Sequence, residues 1–407
     1  MRRQFSLVFF TWLGVCLLGA LPFYYSDFFS GFTDAFFESV SGFTTTGATA
    51  LSDIEALPGW LLFWRAMIQW LGGIGILLTF FLLPLFAAGG FQIKKPETSA
   101  FTGEKYLPRF HRSVFVVLLF YIALTALQFI LLAVFGMNWF DALTHSFSTM
   151  STGGFSIKNG GIAHYNSSAV EWICTVFMFL AAVNLSLVWF IFIGKTTVVM
   201  RNSELRAYAA IILTAAVFVT AAIFRQSPSF GTALRQSFFQ VTSIISTTGF
   251  ISAGYGTWPS AAQGVLFFLL FVGGCSFSAA GGVKVIRYVL LSKQTWNEMK
   301  RLVYPHGAFN IRLDGRGGSK KAVHGAVGFV FLYLLIVFLT ALFVSSGGAG
   351  VFESLKTALA CLGNIGLALS FAEVPAYIKW GLCFVMITGR LELWIVLILF
   401  TKAFWRR

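Results

Sequence analysis

Four short motifs in this chain have the composition and spacing to hold an ion. They are Thr45-Thr46-Gly47-Ala48, Thr152-Gly153-Gly154-Phe155, Thr247-Thr248-Gly249-Phe250 and Asn364-Ile365-Gly366-Leu367. Their aligned glycines, Gly47, Gly154, Gly249 and Gly366, recur at intervals of 107, 95 and 117 residues. A strand whose carbonyls all point one way needs dihedrals that side chains resist and glycine permits. Threonine is small, and its hydroxyl adds an oxygen. Four such strands brought together present rings of oxygens that replace the water shell of a dehydrated cation. One Thr-Thr-Gly carries little weight. Four at a regular interval, each after a short amphipathic run and before a long apolar one, are specific. The competing reading is helix packing through small residues, which puts glycines inside long helices rather than at the ends of short ones.

The elements that must position these strands follow from hydropathy. Mean hydropathy is +0.80, 57% of residues are hydrophobic and 11% are charged. A soluble domain carries about 25% charged residues, so lipid must be the solvent for much of this chain. Apolar runs of spanning length, about 20 residues, fall around 5–25, 60–87, 113–135, 170–194, 206–224, 261–291, 323–345 and 377–404. The first lacks an A-x-A-like cleavage site and reads as a retained span rather than a signal peptide. Shorter runs at 32–44, 139–151, 231–246 and 351–363 precede the glycine motifs. They are too short to cross and read as half-helices that enter and stop inside.

The chain is thus four tandem, parallel copies of span, half-helix, glycine strand, span. The expected fold is an all-α integral membrane protein with eight spans and four re-entrant half-helices around a pseudo-fourfold central pore. The expected divisions are repeat 1 (1–90), repeat 2 (91–198), repeat 3 (199–291), a cytoplasmic amphipathic linker (292–322) and repeat 4 (323–407). The linker, with Trp296, Met299, Leu302, Val303 and Phe309 among charges, suits docking a partner or lying on the membrane surface.

A net charge of +14 does not mark a nucleic-acid binder, because no basic helix is interleaved with aromatics. Instead, 22 of the 29 lysines and arginines lie in the termini and the connections between repeats, Lys94, Lys95, Lys105 and Arg109 among them. The positive-inside rule then puts both termini in the cytoplasm and the half-helices outside, with Trp60, Trp139, Trp172, Trp258 and Trp380 near the outer boundary. Half-helices entering from outside aim the negative ends of their dipoles at the centre, which favours a cation there. Asp34, Glu38 and Asp141 either concentrate cations at the mouth or are solvated loop residues.

The sixth span is interrupted by Gly273-Gly274-Cys275-Ser276-Phe277-Ser278-Ala279-Ala280-Gly281-Gly282, which will not hold a straight helix. It lacks the G-x-x-x-x-G-K-[ST] spacing of a phosphate loop. A gate below the glycine strands is the expected role of Gly273, Gly274, Cys275, Ser276, Ser278, Gly281 and Gly282. Lys284 lies near its inner end as a gate residue or a snorkelling lysine. Arg390 falls mid-span and needs a partner, with Glu392, loop carbonyls and loop hydroxyls as candidates. Arg65 is placed at the outer boundary. The five cysteines form no C-x-x-C pair and read as buried small residues. The five histidines show no paired ligand spacing, and no nucleophile–base constellation supports an enzyme.

The sequence resembles the Trk/Ktr/HKT superfamily of potassium transporters, closest to its TrkH branch. The resemblance rests on Ser41-Gly42-Phe43-Thr44-Thr45-Thr46-Gly47-Ala48-Thr49 with Trp70-Leu71-Gly72-Gly73-Ile74-Gly75, and on Met150-Ser151-Thr152-Gly153-Gly154-Phe155-Ser156. It continues through Gly273-Gly274-Cys275-Ser276, Ala280-Gly281-Gly282-Val283-Lys284, Asn364-Ile365-Gly366 and Gly389-Arg390-Leu391-Glu392. It implies potassium uptake, a homodimer with one pore per protomer, and gating by a cytosolic RCK-type nucleotide-binding ring in a bacterial inner membrane. It implies no cofactor in this chain: potassium is substrate, and a nucleotide binds only the partner. Gly47 stands where sodium-permeable members have serine. Two departures stand out. The usual two extra N-terminal spans are missing, as in a short or truncated form, and Leu367-Ala368-Leu369 replaces the frequent Pro-Gly. A sodium- or proton-coupled secondary transporter is the alternative, although parallel repeats and a midplane poor in acids favour a pore.

Overall fold

The computed structural model describes residues 2–82, 110–307, 309–314, 316–317, 320–367 and 371–405. Repeat 1 comprises α1 (Arg2–Tyr24), the half-helix α2 (Phe32–Phe43) and α3 (Gly59–Leu82). Repeat 2 comprises α4 (Phe110–Val134), the half-helix α5 (Trp139–Met150), α6 (Ser168–Ala181) and α7 (Leu185–Phe192), followed by a short α8 (Thr196–Arg201). Repeat 3 holds α9 (Ser203–Ile223), the half-helix α10 (Phe230–Ile245), α11 (Ser260–Leu269) and α12 (Val285–Val303). A two-residue hairpin, β1 (Arg312–Leu313) with β2 (Arg316–Gly317), precedes repeat 4. That repeat is α13 (Lys320–Ser345), the half-helix α14 (Val351–Gly363), α15 (Ala376–Arg390) and α16 (Leu393–Leu399).

Polar caps mark several helix starts. Asn202 Oδ1 accepts the Leu205 N–H at 2.8 Å to begin α9, and Ser229 Oγ accepts the Thr232 N–H at 3.2 Å to begin α10. Asp34, Asp141 and Glu353 occupy the first turns of the other half-helices, where a negative charge is favoured.

Packing closes these units into a ring. Each half-helix lies against the first span of its own repeat. The second span of one repeat lies against the half-helix of the next: α3 on α5, α6 on α10, and α15 back on α2. Phe267 of α11 meets Phe352 of α14 at 5.0 Å between ring centroids, completing the circuit. Where the last repeat meets the first, Lys379 Nζ pairs with Asp34 Oδ1 at 2.7 Å and Trp380 stacks on Phe36 at 4.9 Å.

The first spans turn large apolar side chains outward: Leu18 on α1, Phe115 on α4, Val217 on α9 and Phe331 on α13 are all exposed. So extensive an apolar exterior is a surface for lipid.

Two expectations need correction. Of the eight expected spans, five are unbroken helices of spanning length and composition. The second spans of repeats 2 and 4 bend by 105° and 118°, while that of repeat 3 is interrupted between Leu269 and Val285, around the glycine run where a break was expected. At the first bend Asn184 Oδ1 accepts the Ser186 N–H at 2.9 Å and starts a new helix. At the second, Glu392 takes φ +68°, which no helix continues. The amphipathic linker expected over 292–322 begins inside a helix that already starts at Val285, with Val285, Arg287 and Leu290 buried. Lys94, Lys95, Lys105, Arg109 and the stretch 368–370 lie outside the described residues.

Candidate functional site

Three of the four half-helices stop in the same way, and the third copy is a close variant. In α2 the Thr46 N–H donates to the Ser41 carbonyl at 2.8 Å and the Thr45 N–H to Gly42 at 2.9 Å. Gly153 to Ser148 (2.8 Å) with Thr152 to Thr149 (3.0 Å) repeats the pair, as does Ile365 to Ala360 (2.9 Å) with Asn364 to Cys361 (3.4 Å). In the third copy Thr247 donates to Ile244 at 3.0 Å, and the outer bond comes from Gly249 to Ser243 at 3.0 Å. The first, second and fourth form the Schellman pattern, whose pivot residue is left-handed and usually glycine or asparagine, and the third keeps its inner bond and left-handed pivot. Here the pivots are Thr45, Thr152, Thr247 and Asn364, at φ +53°, +55°, +62° and +53°. A β-branched residue pays about 1–2 kcal/mol in that region, so the surroundings must hold each threonine there.

Two residues on, Gly47, Gly154 and Gly249 return to positive φ, at +76°, +75° and +80°. Gly366 lies outside that region, and space is what demands glycine there. A Cβ on it would sit 2.8, 3.1 and 3.2 Å from the Thr248, Thr46 and Gly153 carbonyl oxygens. A Cβ on Gly154 would overlap the Thr248 carbonyl, and one on Gly249 the Gly366 carbonyl. Thr45, Thr46, Gly47, Thr152, Gly153, Gly154, Thr247, Thr248, Gly249, Asn364, Ile365 and Gly366 therefore converge, with backbone oxygens of three strands facing the fourth. Thr45 Oγ1 and Asn364 Oδ1 are buried and have no hydrogen-bond partner among the described residues.

Beside the far ends of strands 1 and 2 lies a buried charge pair. Glu38 and Arg65 are 0% and 1% exposed and join through Oε1 and Nε at 2.8 Å. The Glu38 carboxylate also accepts the Thr49 hydroxyl (3.1 and 3.0 Å) and the Ala50 N–H (2.9 Å). Arg65 Nη1 donates to the Ser156 carbonyl at 3.2 Å. One turn along α3, Gln69 Nε2 donates to the Gly153 carbonyl at 2.8 Å, and its Oε1 accepts the Phe155 N–H at 3.1 Å. Asn159 then ties the following loops together, donating to Asp53 Oδ1 at 2.7 Å and holding that carboxyl below the usual range.

The 273–282 loop abuts the opposite end of the strands. The Gly281 N–H donates to Thr247 Oγ1 at 2.8 Å, and Thr152 Oγ1 donates to the Ala279 carbonyl at 3.1 Å. A Cβ on Gly281 would overlap the Gly363 carbonyl and lie 3.0 Å from Asn364 Cβ. The loop closes on itself through Gly273 N–H to the Val283 carbonyl (2.9 Å) and Val285 N–H to Gly274 (3.1 Å). The Cys275 N–H donates to Ala182 at the α6–α7 bend, also at 2.8 Å, and Ser278 Oγ donates to the Cys275 carbonyl at 2.6 Å. Glu204 at the start of α9 accepts from both flanks: Ser276 N–H at 2.7 Å, Ser276 Oγ at 3.1 Å and Ile286 N–H at 3.2 Å.

Residues 1–406 of the 407 match the family model TrkH, described as cation transport protein. The chain belongs to the TrkH family. It is 36% identical to the Trk system potassium uptake protein TrkH of Salmonella typhimurium, over all of this chain and 86% of that one. It is 32% identical to the Trk system potassium uptake protein TrkG of Escherichia coli, with the same coverage. The crystal structure of the potassium transporter TrkH from Vibrio parahaemolyticus superposes with a TM-score of 0.90 at 33% identity, covering 100% of this chain and 86% of that one.

Within this TrkH-type fold several side chains sit differently from expectation. Arg390 takes a loop carbonyl, one of its three expected kinds of partner, rather than Glu392. Its Nη1 donates to the Ala279 carbonyl of the loop at 2.8 Å and its Nη2 to Gly72 at 3.3 Å, while Glu392 pairs with Arg287. Lys284 does not snorkel; it is buried, and its Nζ donates to the Ala280 carbonyl. Arg65 is buried in the protein rather than snorkelling, and the three acids are not free mouth charges. Glu38 is buried against Arg65, Asp34 holds Lys379, and Asp141 accepts the Tyr165 hydroxyl at 2.7 Å. Gln69 and Glu204 escaped the sequence reading, since a lone amide and a lone acid at a helix start carry no motif. All five cysteines are free and buried.

Proposed function

We propose that this protein is a potassium uptake pore. Its filter is formed by Thr45, Thr46, Gly47, Thr152, Gly153, Gly154, Thr247, Thr248, Gly249, Asn364, Ile365 and Gly366. The observation that carries this reading is the meeting of four glycine strands, backbone oxygens toward one another, at the C-terminal ends of four half-helices. Carbonyl rings replace the hydration shell, and the helix dipoles add negative potential. The named relatives are potassium uptake proteins, and Gly47 keeps a serine out of the first filter position.

The 273–282 loop is the gate in this reading. It engages Thr152 and Thr247, whose hydroxyls would otherwise face the ion path. Lys284 and Arg390 hold it there through the Ala280 and Ala279 carbonyls. The protein sits in a bacterial inner membrane as a homodimer, with both termini cytoplasmic and the half-helices outside. A cytosolic RCK-type ring that binds the nucleotide moves the loop. Relatives named as parts of a Trk system support a multi-subunit assembly. The coupled-transporter alternative draws less support, because Glu38 and Glu171 are held by Arg65 and Arg235.

The test is growth of a potassium-uptake-deficient bacterium at low potassium. The chain should restore growth, and Gly154→Ser and Gly249→Ser should abolish it or admit sodium. Growth that survives both changes with unaltered ion preference contradicts the filter.

A further inference from the structure

We infer that Gln69, supported one turn earlier by Arg65, is a positioning residue for ion selectivity. It sets the orientation of the Gly153 carbonyl from behind the filter. This inference rests on the filter reading above.

Gln69 is fully buried on α3 and spends both ends of its amide on one strand: donor to Gly153, acceptor from Phe155. The Gly153 carbonyl is the oxygen that a Cβ on Gly47 would strike and that a Cβ on Gly366 would approach at 3.2 Å. It therefore faces two other strands with one lone pair and takes the Gln69 proton with the other, as a carbonyl oxygen with two lone pairs can. Rotating this peptide plane would remove an oxygen from its ring, and Gln69 holds both this plane, through the Gly153 carbonyl, and the next one, through the Phe155 N–H.

Arg65 works on the adjoining residues. It joins the Ser156 carbonyl of strand 2 to Glu38, which holds Thr49 and Ala50 after strand 1. Its guanidinium carbon also lies 4.1 Å from the centroid of the Phe155 ring. Two side chains with i,i+4 spacing on one helix thus clamp residues 153, 155 and 156. Among the described residues no other amide side chain spans a filter strand in this way. Strand 3 instead uses Ser243, whose hydroxyl donates to the Phe250 carbonyl at 2.8 Å from its own half-helix.

A site that discriminates ions by oxygen placement must be held to within about 0.5 Å. Loss of Gln69 should therefore alter which ion passes before it alters whether the chain folds. The experiment measures the potassium-to-sodium permeability ratio of the full chain in planar bilayers for wild type, Gln69→Met and Gln128→Met. Gln128 is the control, an equally buried amide on α4 with no hydrogen-bond partner among the described residues. Gln69→Met should lower the ratio about tenfold, the size of one lost buried hydrogen bond, while potassium still passes. Gln128→Met should leave it unchanged. If Gln69→Met does not reach the membrane, Gln69→Leu gives the same reading, because it too removes the donor to Gly153 and adds no charge beside the ion path. An unchanged ratio in the Gln69 variant, or an equal fall in the control, overturns the inference. A wild type without potassium preference would instead overturn the filter reading itself.

Discussion

Arg65 and Glu38 lie 27 residues apart in sequence and share one buried ion pair. Removing one partner of such a pair strands the other and costs about 3–5 kcal/mol. Arg65→Met should destabilise the protein by that amount in detergent unfolding, and Glu38→Gln should cost less, because its amide oxygen still accepts from Arg65. Equal, small losses in both would mean that the pair is solvated. The sequence does not show that Arg65 and Glu38 pair, because neighbours along a chain do not reveal partners across it. The four pivots were hidden for a related reason. The motifs made glycine the dihedral specialist, yet Thr45, Thr152 and Thr247 also take left-handed geometry. They are kept there by helix-ending hydrogen bonds and, for two of them, by the loop beneath.

The half-helices were the most legible elements. The expected runs 32–44 and 351–363 appear as Phe32–Phe43 and Val351–Gly363, because a short amphipathic stretch ending at a glycine motif has few other solutions at membrane depth. The breaks in the second spans of repeats 2 and 4 were not legible, since one asparagine and one glutamate decide them inside apolar runs. The 273–282 loop was legible from its glycines, but its fastening was not. Glu204 accepts two backbone N–H groups through one oxygen. Glu204→Ala would leave both unsatisfied at about 1–3 kcal/mol each, and basal potassium flux in proteoliposomes should rise. Glu204→Gln retains that oxygen and should keep flux low. Gly281→Ala should likewise raise basal flux, because its methyl group would overlap the Gly363 carbonyl with the loop in place. Unchanged flux in both Glu204→Ala and Gly281→Ala would separate the loop from gating.

The molecule closes as a ring in which the last repeat docks on the first through Lys379, Asp34, Trp380 and Phe36. That closure turns four weak strands into one site: each is irregular backbone that lipid would not tolerate alone, and each is enclosed by two neighbours. Lys379→Met should loosen this seam, lowering thermal stability while strands 2 and 3 keep their contacts. Tandem repetition was readable from the glycine spacing, whereas the seam was not, because it joins residues from opposite ends of the chain.

The most direct test of the central claim is crystallography of the full chain with rubidium or thallium in place of potassium, recorded at the metal's absorption edge. The account predicts anomalous peaks on the axis shared by the four strands, ringed by backbone oxygens of Thr46, Gly153, Thr248 and the Asn364–Gly366 strand. Strands that converge with no peak between them, under conditions where potassium flux is measurable, would contradict it.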